Sequence, residues 1–222
     1  MNKSLIIFAR EPLPGRVKTR LAQVIGDQAA TDFYAAMLED TLEQASRLAS
    51  VQPLMFWSLE NSRMPILKHY PQLPMYAQQG NDLGERMATA FEQVFNNNCS
   101  PCCIIGTDSP DLPSKYVLQA FEQLERNETD VVFGPAEDGG YYLIGLRQNC
   151  PGLFDSIPWS TSLVLEKNLR QAKRLGLRTS LLPTWYDIDT IDDLRRLDRS
   201  PITTAARTHR AAQQLLLDLD TK

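Results

Sequence analysis

The chain has 222 residues, 43% of them hydrophobic and 23% charged, which is enough for one sizeable α/β core and too apolar for disorder. Lys and Arg number 23 against 27 Asp and Glu, a formal charge of −4 at pH 7; this argues against nucleic acid as a partner but leaves room for a locally basic nucleotide pocket. No apolar run approaches the roughly 18 residues of a membrane span, and the short run after Lys3 is no signal peptide, so a cytoplasmic location without membrane contact is expected.

Leu5 to Ala9 is an unbroken apolar run of strand length, suited to a parallel strand covered on both faces. It feeds a loop in which Pro12 and Pro14 fix φ and Gly15 restores freedom before Arg16-Val17-Lys18-Thr19-Arg20. A helix starting near Thr19 would add its free amides and dipole to those charges. A nucleoside di- or triphosphate is the expected guest of Arg10, Gly15, Arg16, Lys18 and Arg20. Val17 stands where a Walker motif needs its last glycine, which excludes a P-loop.

Thr19 to Ile25 and Asp27 to Leu48 read as helices, the second with a core face of Ala30, Phe33, Tyr34, Met37, Leu38, Leu42 and Ala45. Val51 to Trp57 reads as a strand, 65–70 as a short helix, and Leu73 to Ala77 as a brief strand. Asn81 or Asp82 can cap the next helix, and Gly80, Gly84 and Arg86 are candidates to lie beside a nucleotide. Pro101 to Gly106 is another apolar strand, followed by a helix from Ser114 to Arg126 and a strand from Asp130 to Gly134. Cys102 and Cys103 lead into Ile104-Ile105 and read as buried strand residues, since no second close cysteine pair joins Cys99 and Cys102 to complete a zinc site.

The turn Pro135 to Gly140 leads into Tyr141 to Ile144. Ser160 or Thr161 can open a helix reaching Leu175, and Leu177 to Leu182 can return as a strand. A short helix is expected at Ile191 to Leu197 and a final one from Thr203 or Thr204. The alternation predicts a mostly parallel sheet with helices on both faces and one antiparallel strand after the Gly139-Gly140 turn. Ligands are then expected at the strand ends.

Acids stand where such a site needs them. Asp108 follows Thr107 just after an apolar strand and can ligate a hard divalent ion whose shell phosphate oxygens complete. Asp187 and Asp189, two apart in an extended segment, can face one side and join it. Mg²⁺ or Mn²⁺ is the expected cofactor, with Asp108, Asp187 and Asp189 as its ligands, Thr107 beside the nucleotide, and Lys18 and Asp108 as catalytic groups. Glu137 or Asp138 could orient or deprotonate an acceptor, with Gly139 and Gly140 allowing close approach. No G-x-S-x-G elbow and no G-x-G-x-x-G after the first strand are present, which excludes a serine hydrolase and a dinucleotide oxidoreductase.

Five stretches together carry a family resemblance: FAREPLPGRVKTRLA (8–22), QGNDLGERM (79–87), GTDSPDLP (106–113), GPAEDGGYYLIGL (134–146) and WYDIDTIDDLRRL (185–197). The chain resembles small bacterial glycosyltransferase-like proteins, some assigned to arsenosugar biosynthesis, in the nucleotide-diphospho-sugar transferase superfamily. Lys18 to Leu21 also resembles the loop of phospholactate guanylyltransferases. The resemblance implies a three-layer α/β/α, Rossmann-like GT-A fold, with Asp108 at the metal-binding position. One domain is expected, its nucleotide-binding half about 1–112, its acceptor and metal half about 113–200, and a C-terminal helix about 203–219. The leading expectation is transfer of a sugar from a nucleotide-diphospho-sugar to a small-molecule acceptor. Nucleotidyl transfer from an NTP with pyrophosphate release is the alternative, and a non-catalytic nucleotide-binding module the third. The sequence does not speak to oligomeric state.

Overall fold

The computed structural model describes residues 2–60, 69–97, 99–200 and 204–221. Its elements alternate as the sequence predicts. In chain order they are β1 (Asn2–Arg10), α1 (Thr19–Ile25), α2 (Asp27–Ser46), β2 (Val51–Ser58), β3 (Met75–Ala77), α3 (Leu83–Asn96) and β4 (Cys99–Ile105). These are followed by α4 (Ser114–Glu125), β5 (Val131–Pro135), β6 (Tyr141–Leu146), α5 (Val164–Arg174), β7 (Thr179–Leu181), α6 (Ile191–Asp198) and α7 (Ala206–Asp220). A 3₁₀ turn at Pro151–Phe154, which the sequence reading missed, precedes α5.

The described strands form one sheet in the order β3-β2-β1-β4-β6-β5-β7. Among them β6 alone runs against the rest, pairing antiparallel with β4 and β5, while β1 lies parallel between β2 and β4. The expected antiparallel strand is thus the one that follows the Gly139-Gly140 turn.

Side-chain alternation explains why the central strands are apolar throughout. Leu5, Ile7, Cys103 and Ile105 pack on one face with Leu42, Phe121 and Leu124. Ile6, Cys102 and Ile104 pack on the other with Phe91, Phe154 and Ala172. All four of those β1 and β4 neighbours on the first face, and Cys102, are buried, and burial pushes both strand thiols up. A third cluster joins Leu21, Phe33 and Met37 to Ile188, Leu194, Leu197 and Ala212, which seats α6 and α7 against α1 and α2.

Several boundaries differ from expectation. The helix sought from Ser160 or Thr161 starts at Val164. Ser160 is left-handed at φ 62°, and the Thr161 hydroxyl turns back to donate to the Pro158 carbonyl, so neither opens the helix. The final helix starts at Ala206, because its free N-terminal amide at Thr208 is met by Asp40 of α2 at 2.7 Å rather than by a local threonine. Cys99 and Ser100 already pair in β4, ahead of Pro101. The brief strand begins at Met75, two residues after Leu73. The short helix expected at 65–70 falls largely outside the described residues, as does Thr203.

Candidate active site

The C-terminal ends of β1 and β4 and the segment before α6 meet around Lys18. Its ammonium donates to Asp108 Oδ1 at 2.5 Å and to Asp189 Oδ1 at 2.9 Å. The lysine side chain is 2% exposed, against 52% for Asp108 and 44% for Asp189, so it forms a floor from which the two acids rise. Burial alone would push the ammonium down, but Asp108 and Asp189 overcome it and hold it above its ordinary value. Burial acts on Asp108 in the opposite sense, and Lys18 wins there too, keeping the carboxyl low.

Asp187 stands behind this pair. Ile188 is fully buried, and the acids on either side of it turn the other way, as the extended spacing predicts. Asp187 accepts from the Ser109 hydroxyl at 2.7 Å. Its carboxyl is pushed up to about 6 by burial and by the charge of Asp108. Among the described residues no three His, Cys, Asp or Glu side chains converge as a complete metal-ligand set.

Above the floor opens a cavity of roughly 660 Å³ lined by Arg10, Arg16, Lys18, Arg20, Arg86, Thr107, Asp108 and Asp189. The structure therefore brings together most of the groups that the sequence nominates. Arg86 is aimed by bonds from Nε to the Gly80 carbonyl at 3.1 Å and from Nη1 to the Ser58 hydroxyl at 3.3 Å. Arg16 reaches Glu60 only at 3.8 Å, with both side chains exposed. Arg10 and Arg20 make no ion pair among the described residues. Thr107 is buried and donates to Tyr34 Oη at 3.0 Å, while Tyr34 accepts from the Arg10 amide at 2.9 Å.

Other nominated residues are elsewhere. Glu137 is gripped by both terminal nitrogens of Arg196, at 2.7 and 2.9 Å, and does not line the cavity. Asp138 accepts from the Gly140 amide at 2.8 Å and closes its own turn. Gly139, at φ 91°, is packed so that a Cβ would collide with the Ser162 backbone; its freedom serves the docking of α5, not a substrate. Gly15 and Gly80 are turn residues at positive φ outside the lining. Gly84 is needed because a Cβ there would stand 2.6 Å from the indole of Trp159, a wall of the cavity.

Sequence reasoning missed Tyr34 and Gln78. Tyr34 sits in the apolar periodicity of α2 and reads as core, and its hydroxyl reveals itself only through Arg10 at the end of β1 and Thr107 in the loop after β4. Gln78 bridges the Ala9 and Phe56 carbonyls at 3.3 and 2.9 Å and carries no motif signal. Asp111 accepts from Trp185 Nε1 at 3.2 Å and Tyr186 Oη at 2.6 Å. It fixes the segment that delivers Asp187 and Asp189.

Comparisons with known proteins agree with this architecture. The chain aligns over 99% of its length, and 97% of the other's, with a Desulfovibrio desulfuricans G20 protein provisionally named a nucleotide-diphospho-sugar transferase, at 33% identity and a TM-score of 0.90. More distant folds include a CMP:2-keto-3-deoxy-manno-octonic acid synthetase in complex with CTP, with 12% identity, coverage of 89% and 97%, and a TM-score of 0.57. The inositol-1-phosphate CTP transferase of T. maritima has 12% identity, coverage of 97% and 96%, and a TM-score of 0.52. These two show likeness of fold alone. No curated protein matches the chain. A family model described as an uncharacterized protein conserved in bacteria (DUF2064) matches residues 41–161, more than half of the chain. The chain accordingly belongs to the DUF2064 family, and its α/β fold is that of the nucleotide-diphospho-sugar transferase structures.

Proposed function

We propose that the protein is a transferase that binds a nucleoside triphosphate and passes its nucleotidyl group to a small phosphorylated acceptor. The observation that carries this reading is the set of Arg10, Arg16, Arg20 and Arg86 around one cavity floored by Lys18, Asp108 and Asp189. Guanidiniums of that number suit the charge of a triphosphate better than that of a sugar diphosphate. On this reading residues 1–112 form the nucleotide half and 113–200 the acceptor and metal half. The resemblance of the motifs to arsenosugar-associated proteins supports a small molecule, not a polymer, as acceptor.

An acceptor phosphate oxygen attacks the α-phosphorus, the bond to the β-phosphate oxygen breaks, and pyrophosphate leaves with the electron pair. That nucleophile is already anionic, so no carboxylate base is required; this suits a site from which Glu137 and Asp138 are held away. The arginines neutralise charge that moves onto the leaving group, and the Lys18 ammonium adds a fixed positive charge at the floor.

The donor set fits Mg²⁺ or Mn²⁺. Asp108 and Asp189 already converge on a cation, and Asp187 is crowded by negative charge that Lys18 does not fully offset. Two carboxylates plus substrate oxygens are how Mg²⁺ is commonly held. Such an ion, held by Asp108 and Asp189 with Asp187 behind, would stabilise negative charge on the phosphate oxygens.

Sugar transfer is the second reading, favoured by the provisional name of the 33% identical protein. Thermal unfolding across NTPs and nucleotide-sugars with each metal, followed by pyrophosphate release with a panel of phosphorylated acceptors, separates the two. Stabilisation by an NTP together with pyrophosphate release is expected. Stabilisation by an intact nucleotide-sugar alone would move the assignment to sugar transfer, and no response to either would remove it.

A further inference from the structure

The cavity over Lys18 has a wall without charge. On the sheet face that carries α3 and α5 it is lined by Phe8, Met87, Ile104, Tyr141, Ile144 and Trp159, all of them part of one core cluster or packed against it. Met87, Ile104 and Ile144 are buried, so the surface a ligand meets there is that of the half-buried rings of Phe8, Tyr141 and Trp159.

These rings are held from behind. Phe8 rests on Phe56 with 6.0 Å between ring centroids, Tyr141 on Phe133 at 5.4 Å, and Trp159 on Phe154 at 6.5 Å, and the supporting rings are at most 5% exposed. Side chains backed in this way keep one orientation, so little ordering is left to be done when a ligand arrives. Trp159 is fixed from a second side, because the missing side chain at Gly84 admits its indole against the start of α3.

The wall offers little to a polar ligand. The Tyr141 hydroxyl makes only a weak contact with Met87 Sδ at 3.9 Å, and none of the six residues carries a carboxylate, an amide or a cation. A polyol laid on them would lose water without gaining partners, whereas a flat apolar group gains burial. Arg10, Arg16, Arg20 and Arg86 line the same cavity, so one ligand can meet charge and ring together. Tyr141 and Trp159 also come from residues 113–200, the part assigned above to the acceptor.

We infer that Tyr141 and Trp159 bind the organic body of the acceptor, and that this body is flat and apolar. The substrate class is an aryl or similarly unsaturated phosphate ester, not a sugar or polyol phosphate. Calling the ligand an acceptor rests on the nucleotidyl-transfer reading; the preference of the wall for a flat body does not.

The experiment titrates the full-length protein, without NTP, with phenyl phosphate and separately with glycerol 3-phosphate, and reads the indole signals by ¹⁵N–¹H correlation. The chain has three tryptophans, and Trp159→Phe assigns the signal of Trp159. Phenyl phosphate should shift that signal saturably, while Trp57, which is fully buried, and Trp185, which lines a separate cavity, stay still. By calorimetry phenyl phosphate should bind about tenfold more tightly than glycerol 3-phosphate, and ribonucleosides should not displace it. Trp159→Ala should erase most of that margin, and Trp159→Leu, apolar but not flat, serves the same purpose if the alanine variant fails to fold. With NTP added, pyrophosphate should be released faster when phenyl phosphate is the acceptor. Equal affinities for the two esters, a margin that survives at Trp159→Leu, or displacement by a ribonucleoside would overturn the inference, the last by placing the base on this wall. Faster turnover with glycerol 3-phosphate would overturn the acceptor class and leave nucleotidyl transfer in place. An intact shift and margin with no pyrophosphate from any acceptor would support the wall and count against the transfer reading instead.

Discussion

Lys18 adopts the left-handed conformation at φ 46°, ψ 44°, which costs a residue with a Cβ of order 1–2 kcal/mol. Two short ion pairs offset that cost and explain why the strain sits here. The pairing is asymmetric, because the lysine is sealed while both acids reach water. Lys18→Met should therefore leave two carboxylates that can hydrate, moving the unfolding midpoint by only a few degrees while lowering pyrophosphate release about 100-fold or more. Asp108→Asn/Asp189→Asn should do the opposite to stability. It strands a buried ammonium, at about 3–5 kcal/mol by chemical denaturation. Equal losses of stability in the two variants would contradict the floor-and-wall arrangement.

At the scale of elements, α6 is the part that aims the acids. The Thr190 hydroxyl accepts from the Asp193 amide at 3.3 Å, and the Asp193 carboxylate in turn accepts from the Thr190 amide and from the Asp189 amide. Thr190→Ala should cost about 1 kcal/mol of stability and reduce turnover more than that loss explains, since it loosens the backbone of Asp189. The start of α3 offers a second test. Gly84→Ala should displace Trp159 and destabilise by about 1–3 kcal/mol, with a change in tryptophan fluorescence. In the background of Trp159→Ala the same substitution should be close to neutral. Much of this was legible in advance: the strand runs at Leu5 to Ala9 and Ile104-Ile105, the cap at Asp82, and the spacing of Asp187 and Asp189 follow from local periodicity and turn chemistry. What was not legible depends on partners far along the chain. Glu137 looks free for chemistry until Arg196 arrives from α6. Gly84 looks like a phosphate-loop glycine until Trp159 is seen against it. The start of α7 is set by Asp40, a residue that reads as one more polar position of α2.

Across the whole molecule, the charged groups that guard the fold lie apart from those that form the site. Asp130, just ahead of the β5 strand, accepts from the Arg178 amide and Nε at 2.9 and 2.8 Å and also pairs with Arg147. The Arg178 side chain, with Arg147 behind it, holds the carboxyl well below the usual range. A depressed folded-state value adds stability above the unfolded value of about 3.9 and loses it as pH falls below that point. Wild-type stability should therefore decline steeply below about pH 4. Asp130→Asn should be less stable by about 1–3 kcal/mol at pH 7, and the gap should close in acid; a gap that persists at low pH would show that the carboxylate charge is not its source. No described helix is long and apolar enough to cross a membrane. The Lys18 floor has a further consequence. Its two partners lie 90 and 171 residues downstream, so a ribosome-bound chain exposes its arginine loop long before it can complete the acid pair. Nascent protein should stay inert toward nucleotides until the tunnel has released Asp189, and arrest of translation upstream of that codon should yield a sheet without a workable floor.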